Sequence, residues 1–334
     1  MRRPLAPVLA AALVALRAAP AAAEPLDLDL ARLGAPSASV WSAAATRLGV
    51  TLSPATAEQL ANDARTRFAV LSIDTALAIS SAVLHPASTT GYAGFDFDLE
   101  AAYAAVHPDA AQGTASFPDA SAAAFTPRSP WQSRSLVPHE LFLPSFHVRK
   151  SLPFSFELGG RMIYLSQSSY FAAQVEGKWA LNEGFSNLPD LAVRAAYTQL
   201  FGPPQWNLST TDVDVLVSKR WGVNGVTSFT PYAAARFTFV GASSDVMDFA
   251  PAAASPPPST TELAATQAAF PTLRTTLYRS TVGLRMTAYA VSLSAEATYL
   301  ASATKGEKNA TANEYPTFRV PSSWSGAARF GWEF

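Results

Sequence analysis

The chain of 334 residues contains no cysteine, which removes disulfide scaffolds, thiolate metal sites and cysteine nucleophiles together. It has four histidines, few enough that no metal or other cofactor is expected. Charge is also scarce: 15% of residues are Asp, Glu, Lys or Arg, against about 25% in soluble domains. Neither sign prevails, since the formal net charge is −1, so the basic footprint of a nucleic-acid binder is missing and no nucleic-acid partner is expected. Past the N-terminus no uncharged apolar run reaches the ~18 residues of a membrane helix. Yet 49% of residues are hydrophobic and mean hydropathy is slightly positive, at +0.11. The apolar residues must therefore follow a pattern that averages out.

The first 23 residues read as an export signal. Met1-Arg2-Arg3 is a positive start, Leu5 to Leu16 is apolar, and Ala21-Ala22-Ala23 before Glu24 is a small-residue cleavage site. Residues 24–93 form a separate segment, expected to be helical and either periplasmic or plug-like. Ser37 to Leu48 reads as a short helix with Gly49 as its stop. Ser53-Pro54 is an N-cap followed by proline at the first helical position, and Leu60, Ala64, Phe68 and Leu71 recur at helical spacing. Leu71 to Val83 fits two patterns, an alternating strand or a continued helix; a parity argument below selects the helix.

From Gly94 to Phe334 the period becomes two. Phe95, Phe97, Leu99, Ala101 and Tyr103 alternate with Asp96, Asp98 and Glu100, and the pattern recurs in nine further segments, the weakest being Leu141 to Lys150 with its Pro144. On the polar parity lie Asp96, Asp98, Glu100, Arg149, Glu157, Arg161, Glu176, Lys178, Arg194, Asp212, Asp214, Arg220, Arg236, Arg279, Arg285, Glu296, Arg329 and Glu333. His147 shares that face as a further cation. Only Lys150 and Lys219 break the rule, both at a strand end where a lysine can snorkel. A charge facing lipid at the bilayer midplane costs about 2–4 kcal/mol for Arg or Lys, which explains such a filter.

This pattern specifies an all-β fold: a transmembrane, antiparallel, up-and-down β-barrel of about ten strands, with twelve as the next even count. With the C-terminus in the periplasm, the long connections 107–140, 241–276 and 301–323 all fall on the extracellular side. An eleventh strand at Leu71–Val83 would break the parity. Phe95, Phe154, Trp179, Trp221, Phe229, Trp332 and Phe334 fall at the inner membrane boundary, and Tyr103, Phe142, Tyr164, Phe171, Phe201, Tyr278 and Tyr299 at the outer one, as in aromatic girdles. A soluble β-sandwich would need neither girdle.

Phe330, Trp332 and Phe334 end the chain on one face of the last strand. This resembles the C-terminal assembly signal of Gram-negative outer-membrane proteins. The resemblance implies an outer-membrane location, membrane lipid and the barrel assembly machinery as partners, and export by a cleaved signal. It names no subfamily. The inward charges balance in sign, so a filled or narrow lumen is expected rather than an ion-selective pore. Two functions remain open: narrow or gated transport of a small-molecule solute, and a non-conducting structural or interaction barrel. A ten-strand barrel also resembles the omptin proteases in architecture. His107, Asp109, Asp119, His139 and Glu140 share one loop but follow no catalytic motif, so no catalytic residues and no enzyme activity are expected.

Overall fold

A computed structural model describes residues 24–80, 82–108, 129–132, 138–223, 225–249 and 265–334. The stretch read as an export signal, residue 224, and the loop residues Asp109 and Asp119 lie outside the described residues.

Ten strands alternate across the wall. They are β1 (Phe95–Ala105), β2 (Glu140–Leu152), β3 (Phe156–Tyr164), β4 (Phe171–Asn182), β5 (Asp190–Phe201), β6 (Trp206–Ser218), β7 (Thr227–Ser244), β8 (Leu273–Ala288), β9 (Val291–Leu300) and β10 (Ser323–Glu333). Each pairs antiparallel with the next, and β10 pairs with β1, so the sheet closes. Closure removes the open edge that would leave backbone groups unpaired in lipid. The seam is fastened at its lower end, where the Phe95 and Phe334 amides each donate to the other's carbonyl at 2.9 and 2.8 Å. Pro144 sits within β2 opposite Ala101, so the proline does not interrupt the strand.

The pleat sorts the side chains as the alternation requires. Leu99, Leu158, Met162, Val175 and Val215 are half exposed on the outside, while Asp96, Asp98, Asp212 and Asp214 are fully buried inside. Aromatic rings gather at both rims. Phe156 stacks on Trp179 near the short-turn end, and Phe171 on Phe201 and Tyr103 on Phe142 near the long-loop end. Such rings keep an apolar body in lipid and a polar edge near the headgroups. Arg220 departs from the expected parity. β6 ends at Ser218, and Arg220 is exposed in the turn that follows. Lys219 beside it donates to the carbonyls of Phe185, Ser186 and Leu188 at 2.6–2.8 Å, tying two short turns together.

The N-terminal segment contributes α1 (Ala38–Leu48) and α2 (Pro54–Ile79). Gly49 ends α1 in the left-handed conformation, at φ 69°, where a side chain would be strained. Ser53 caps α2, its Oγ accepting from the Thr56 amide at 3.1 Å, and Pro54 occupies the first turn where no amide is needed. The second half of α2 is buried on nearly every side and therefore needs cover all round. The long loops provide it. Phe68 stacks on Phe270 at 4.4 Å, and Leu26, Leu30, Leu33, Trp131, Tyr315 and Phe318 join the same apolar core. The helices cap the long-loop mouth, the end that the barrel rule puts outside the cell. The helix also stops at Ile79, short of Val83. Residues 82–94 continue as coil through the lumen to the opposite mouth, where β1 begins.

Replacing Leu99 with Arg at the middle of β1 is expected to cost about 2–4 kcal/mol of folding free energy. Denaturant titration in lipid vesicles measures it, and a cost below about 1 kcal/mol would place Leu99 away from the hydrocarbon.

Candidate functional site

Among the described residues the lumen is where the fold concentrates chemistry, and the strand register assembles it. Antiparallel pairing sets inward residues of adjacent strands side by side. Arg149 lies opposite Asp96, Lys178 opposite Glu157, and Asp214 opposite both Arg194 and Arg236. The resulting chain of ion pairs runs around the wall. Arg149 bridges Asp96 and Glu157, Lys178 reaches Glu157 at 2.6 Å, and Arg161 reaches Glu100 at 2.7 Å. Arg194 joins Glu176 to Asp214, both at 2.5 Å, and Arg236 meets the other Asp214 oxygen at 2.5 Å. Arg279 meets Asp212 at 3.0 Å. Arg329 holds Asp96 and Asp98, and Arg285 pairs with Glu333 at the short-turn rim.

Two positions show how the network uses glycine. A Cβ at Gly331 would collide with the Asp98 carboxylate and the Arg329 guanidinium, and one at Gly159 would come within 2.9 Å of His147 Nε2 and Glu176 Cγ. Neither site needs an unusual backbone; both need the space.

The wall charges do more than pair with one another, because they hold the threaded coil. A coil crossing a closely filled interior must find partners for its amides and carbonyls. The Glu296 carboxylate accepts from the Val83 and Leu84 amides at 2.9 and 2.6 Å. Glu157 accepts from the Thr90 amide at 2.8 Å, Glu183 from Thr89 at 2.7 Å, and Ser218 from Ala87 at 3.0 Å. In the other direction, Arg161 donates to the Ala82 carbonyl at 3.0 Å, and Lys178 donates to those of Pro86 and Ser88 at 3.2 and 2.9 Å. Ser80, at the end of α2, donates to Asp212 at 2.6 Å and meets Arg279. The cavity left beside Ser80, Ala82, Glu100 and Arg161 measures about 30 Å³, room for roughly one or two waters.

Every inward charge proposed from the alternation reaches the lumen except Arg220. The structure adds members that the alternation did not single out. Asp190 is buried at the start of β5, and its carboxylate accepts from the Gly184 amide at 3.0 Å. His85, at the centre of the coil, is buried against Asp98 and His147. Its one signal in the sequence is a histidine beside a proline in an otherwise apolar stretch. Of the loop residues considered for catalysis, His139 and Glu140 are exposed and apart from an acid–base pair. His107 is tied to the plug: its amide donates to Asp74 at 2.7 Å, and its Nδ1 lies 3.2 Å from the same carboxylate. That hydrogen bond raises the His107 pKa above 6.5, with the Asp74 charge adding to it and partial burial opposing it.

No family model matches the chain, and no curated protein matches it significantly. Among solved structures it is similar to Neisserial surface protein A, at 13% identity and a TM-score of 0.28, over 72% of this chain and 97% of that one. It is similar to the translocator domain of the autotransporter NalP from Neisseria meningitidis, at 9% and 0.36, over 81% and 98%. A third is the outer membrane protease OmpT from Escherichia coli, at 6% and 0.33, over 74% and 98%. The closed sheet, its lipid-facing exterior and its ionic interior define the class: an outer-membrane β-barrel. Its lumen is occupied by the chain's own N-terminal segment.

Glu157 serves Arg149, Lys178, Ser151 and Thr90 at once. Glu157→Ala is therefore expected to cost about 3–5 kcal/mol, the usual result of taking one partner from a buried ion pair. Glu157→Gln, which keeps the acceptor for Thr90, should cost less; equal losses in denaturant titration would show that the backbone contact contributes nothing. The His107–Asp74 tie depends on pH in a defined direction. A histidine whose pKa is raised on folding stabilises the native state fully below its unfolded value, 6.5, and loses that contribution as pH rises through the raised value. Protease resistance of the plug–loop junction should thus fall over that window, and His107→Gln should flatten the change.

Proposed function

We propose that this protein is a non-conducting outer-membrane barrel that carries its N-terminal segment through its own lumen and presents it at the cell surface. The helical cap and long loops would form a structural or interaction surface there. The observation that carries this reading is the double set of hydrogen bonds along residues 82–90, whose amides bond to wall carboxylates and a serine hydroxyl and whose carbonyls bond to wall cations. A gate that opens readily would have to break these bonds together and leave Glu296, Glu157 and Lys178 without them, and each exposed buried polar group costs about 1–3 kcal/mol. A wall lined by charges of both signs also favours packing over passage of one type of ion.

Two measurements test the proposal. Full-length protein in planar lipid bilayers should show no steady conductance, and a stable open channel would return the barrel to the transport class. Because the chain has no cysteine, single labels are clean. Ser39→Cys, at an exposed position of α1, should react with a membrane-impermeant maleimide on intact cells. Asn187→Cys, in the short turn between β4 and β5, should react only after permeabilisation. The reverse pattern would overturn surface presentation.

A further inference from the structure

Where the threaded coil crosses the wall beside β1 and β2, four buried side chains converge: His85 from the coil, Asp98 and Glu100 from β1, and His147 from β2. One donor atom from each lies within 4.8 Å of the other three. His85 Nε2 is 3.4 Å from Asp98 Oδ2; His147 Nδ1 is 3.9 Å from that oxygen and 3.1 Å from Glu100 Oε1. Donors bound to one zinc ion at about 2.0–2.1 Å in a tetrahedron stand a little over 3 Å apart, so modest closure would complete the set. From this geometry we propose a binding site for one divalent transition metal of the zinc class, joining plug to wall.

Three further observations point to a ligand. First, neither ring nitrogen of His85 has a hydrogen-bond partner, although the residue is only 3% exposed. A buried imidazole without partners is costly, and a metal at Nε2 would satisfy one of the two nitrogens. Second, the surroundings match the outer shell of a metal site. Glu176 Oε1 lies 3.2 Å from His147 Nε2, near enough for a hydrogen bond after a small rotation, an outer-shell arrangement that would leave Nδ1 as the ligand. Arg329 holds Asp98 by its other oxygen at 2.5 Å, and Arg161 and Ser145 hold Glu100 by Oε2 at 2.7 and 3.0 Å. The facing oxygens, Asp98 Oδ2 and Glu100 Oε1, point inward. Gly159 supplies the space in which His147 and Glu176 meet. Third, the charge is unbalanced. With Arg220 in the turn, the acidic set proposed for the lumen exceeds the basic set by one, so the wall still has room for a cation.

The competing occupant is Arg161. Its Nη2 approaches both Glu100 Oε1 and His147 Nδ1, at 3.1 and 3.3 Å. A metal would displace this contact while the Arg161 Nε–Oε2 pair and the Nη1 bond to Ala82 remain. Two imidazoles and two carboxylates suit Zn²⁺ and its neighbours in the first transition row better than the all-oxygen preference of Mg²⁺ or Ca²⁺.

The test uses the full chain, refolded in detergent, stripped with EDTA and titrated with Zn²⁺ or Co²⁺ alone. One equivalent of Zn²⁺ per chain is expected by mass spectrometry of the metal content, and Co²⁺ should give the visible absorption of a four-coordinate site. His85→Ala and His147→Ala should each weaken Zn²⁺ binding by about tenfold or more, with heat-modifiable gel migration as the check on folding. If His147→Ala fails to fold, His85→Ala decides, because it alters the coil and leaves the wall intact. No uptake by the wild type, or uptake unchanged in His85→Ala, overturns the site.

Discussion

Charge placed on the inner wall of a lipid-enclosed barrel must be paired or solvated, and this lumen leaves little room for water. That constraint organises the molecule. A carboxylate and a guanidinium removed from water recover the loss only when both are held in good geometry with their remaining valences used. The antiparallel register meets half of this demand by setting Asp96, Glu157 and Asp214 beside Arg149, Lys178 and Arg194. The other half is met by the threaded coil, whose amides and carbonyls engage Glu296, Glu157, Lys178 and Arg161. Wall and plug thus satisfy each other: the coil needs the charges to cross a filled interior, and the charges need the coil to fill it.

The same reasoning joins the cap to the barrel. The second half of α2 is buried on nearly every side and largely apolar, so it needs a ring of other groups around it. The long loops supply Phe270, Tyr315 and Phe318. Polar contacts then fix orientation: Arg65 donates to the Thr311 and Glu314 carbonyls at 2.6 and 3.1 Å, and Tyr170 accepts from the Leu28 amide at 2.8 Å. Burial provides the larger energy and the polar contacts choose the pose.

Much of the barrel is legible in the sequence because one physical rule, the two-residue period across a lipid boundary, acts on every strand. It places Asp98, Arg194 and Arg329 inside and Leu99, Val175 and Phe330 outside without further information. Arg220 fails because the rule holds only while the chain is in a strand, and β6 ends two residues earlier. The helices α1 and α2 are announced by Gly49 and by Ser53-Pro54. Their place at the long-loop mouth is not, since caps and helical spacing say where a helix begins and nothing about which end of a barrel covers it. The threaded coil is the least legible part. Residues 82–90 have no period, and their partners Glu157, Lys178, Ser218 and Glu296 lie dozens to hundreds of positions away. His85 and His147 illustrate the limit: separated by 62 positions in the sequence, they meet in the fold with ring centroids 5.5 Å apart.

The central claim is that the coil is held in the lumen by the wall charges and exchanges only when the barrel opens. Hydrogen exchange at the amides of Val83, Leu84 and Thr90 in the refolded full-length protein measures this directly. The account predicts protection at these three amides comparable to that of the barrel strands, falling at Val83 and Leu84 in Glu296→Ala. Exchange of these amides as fast as that of exposed loop residues in the wild type would contradict it.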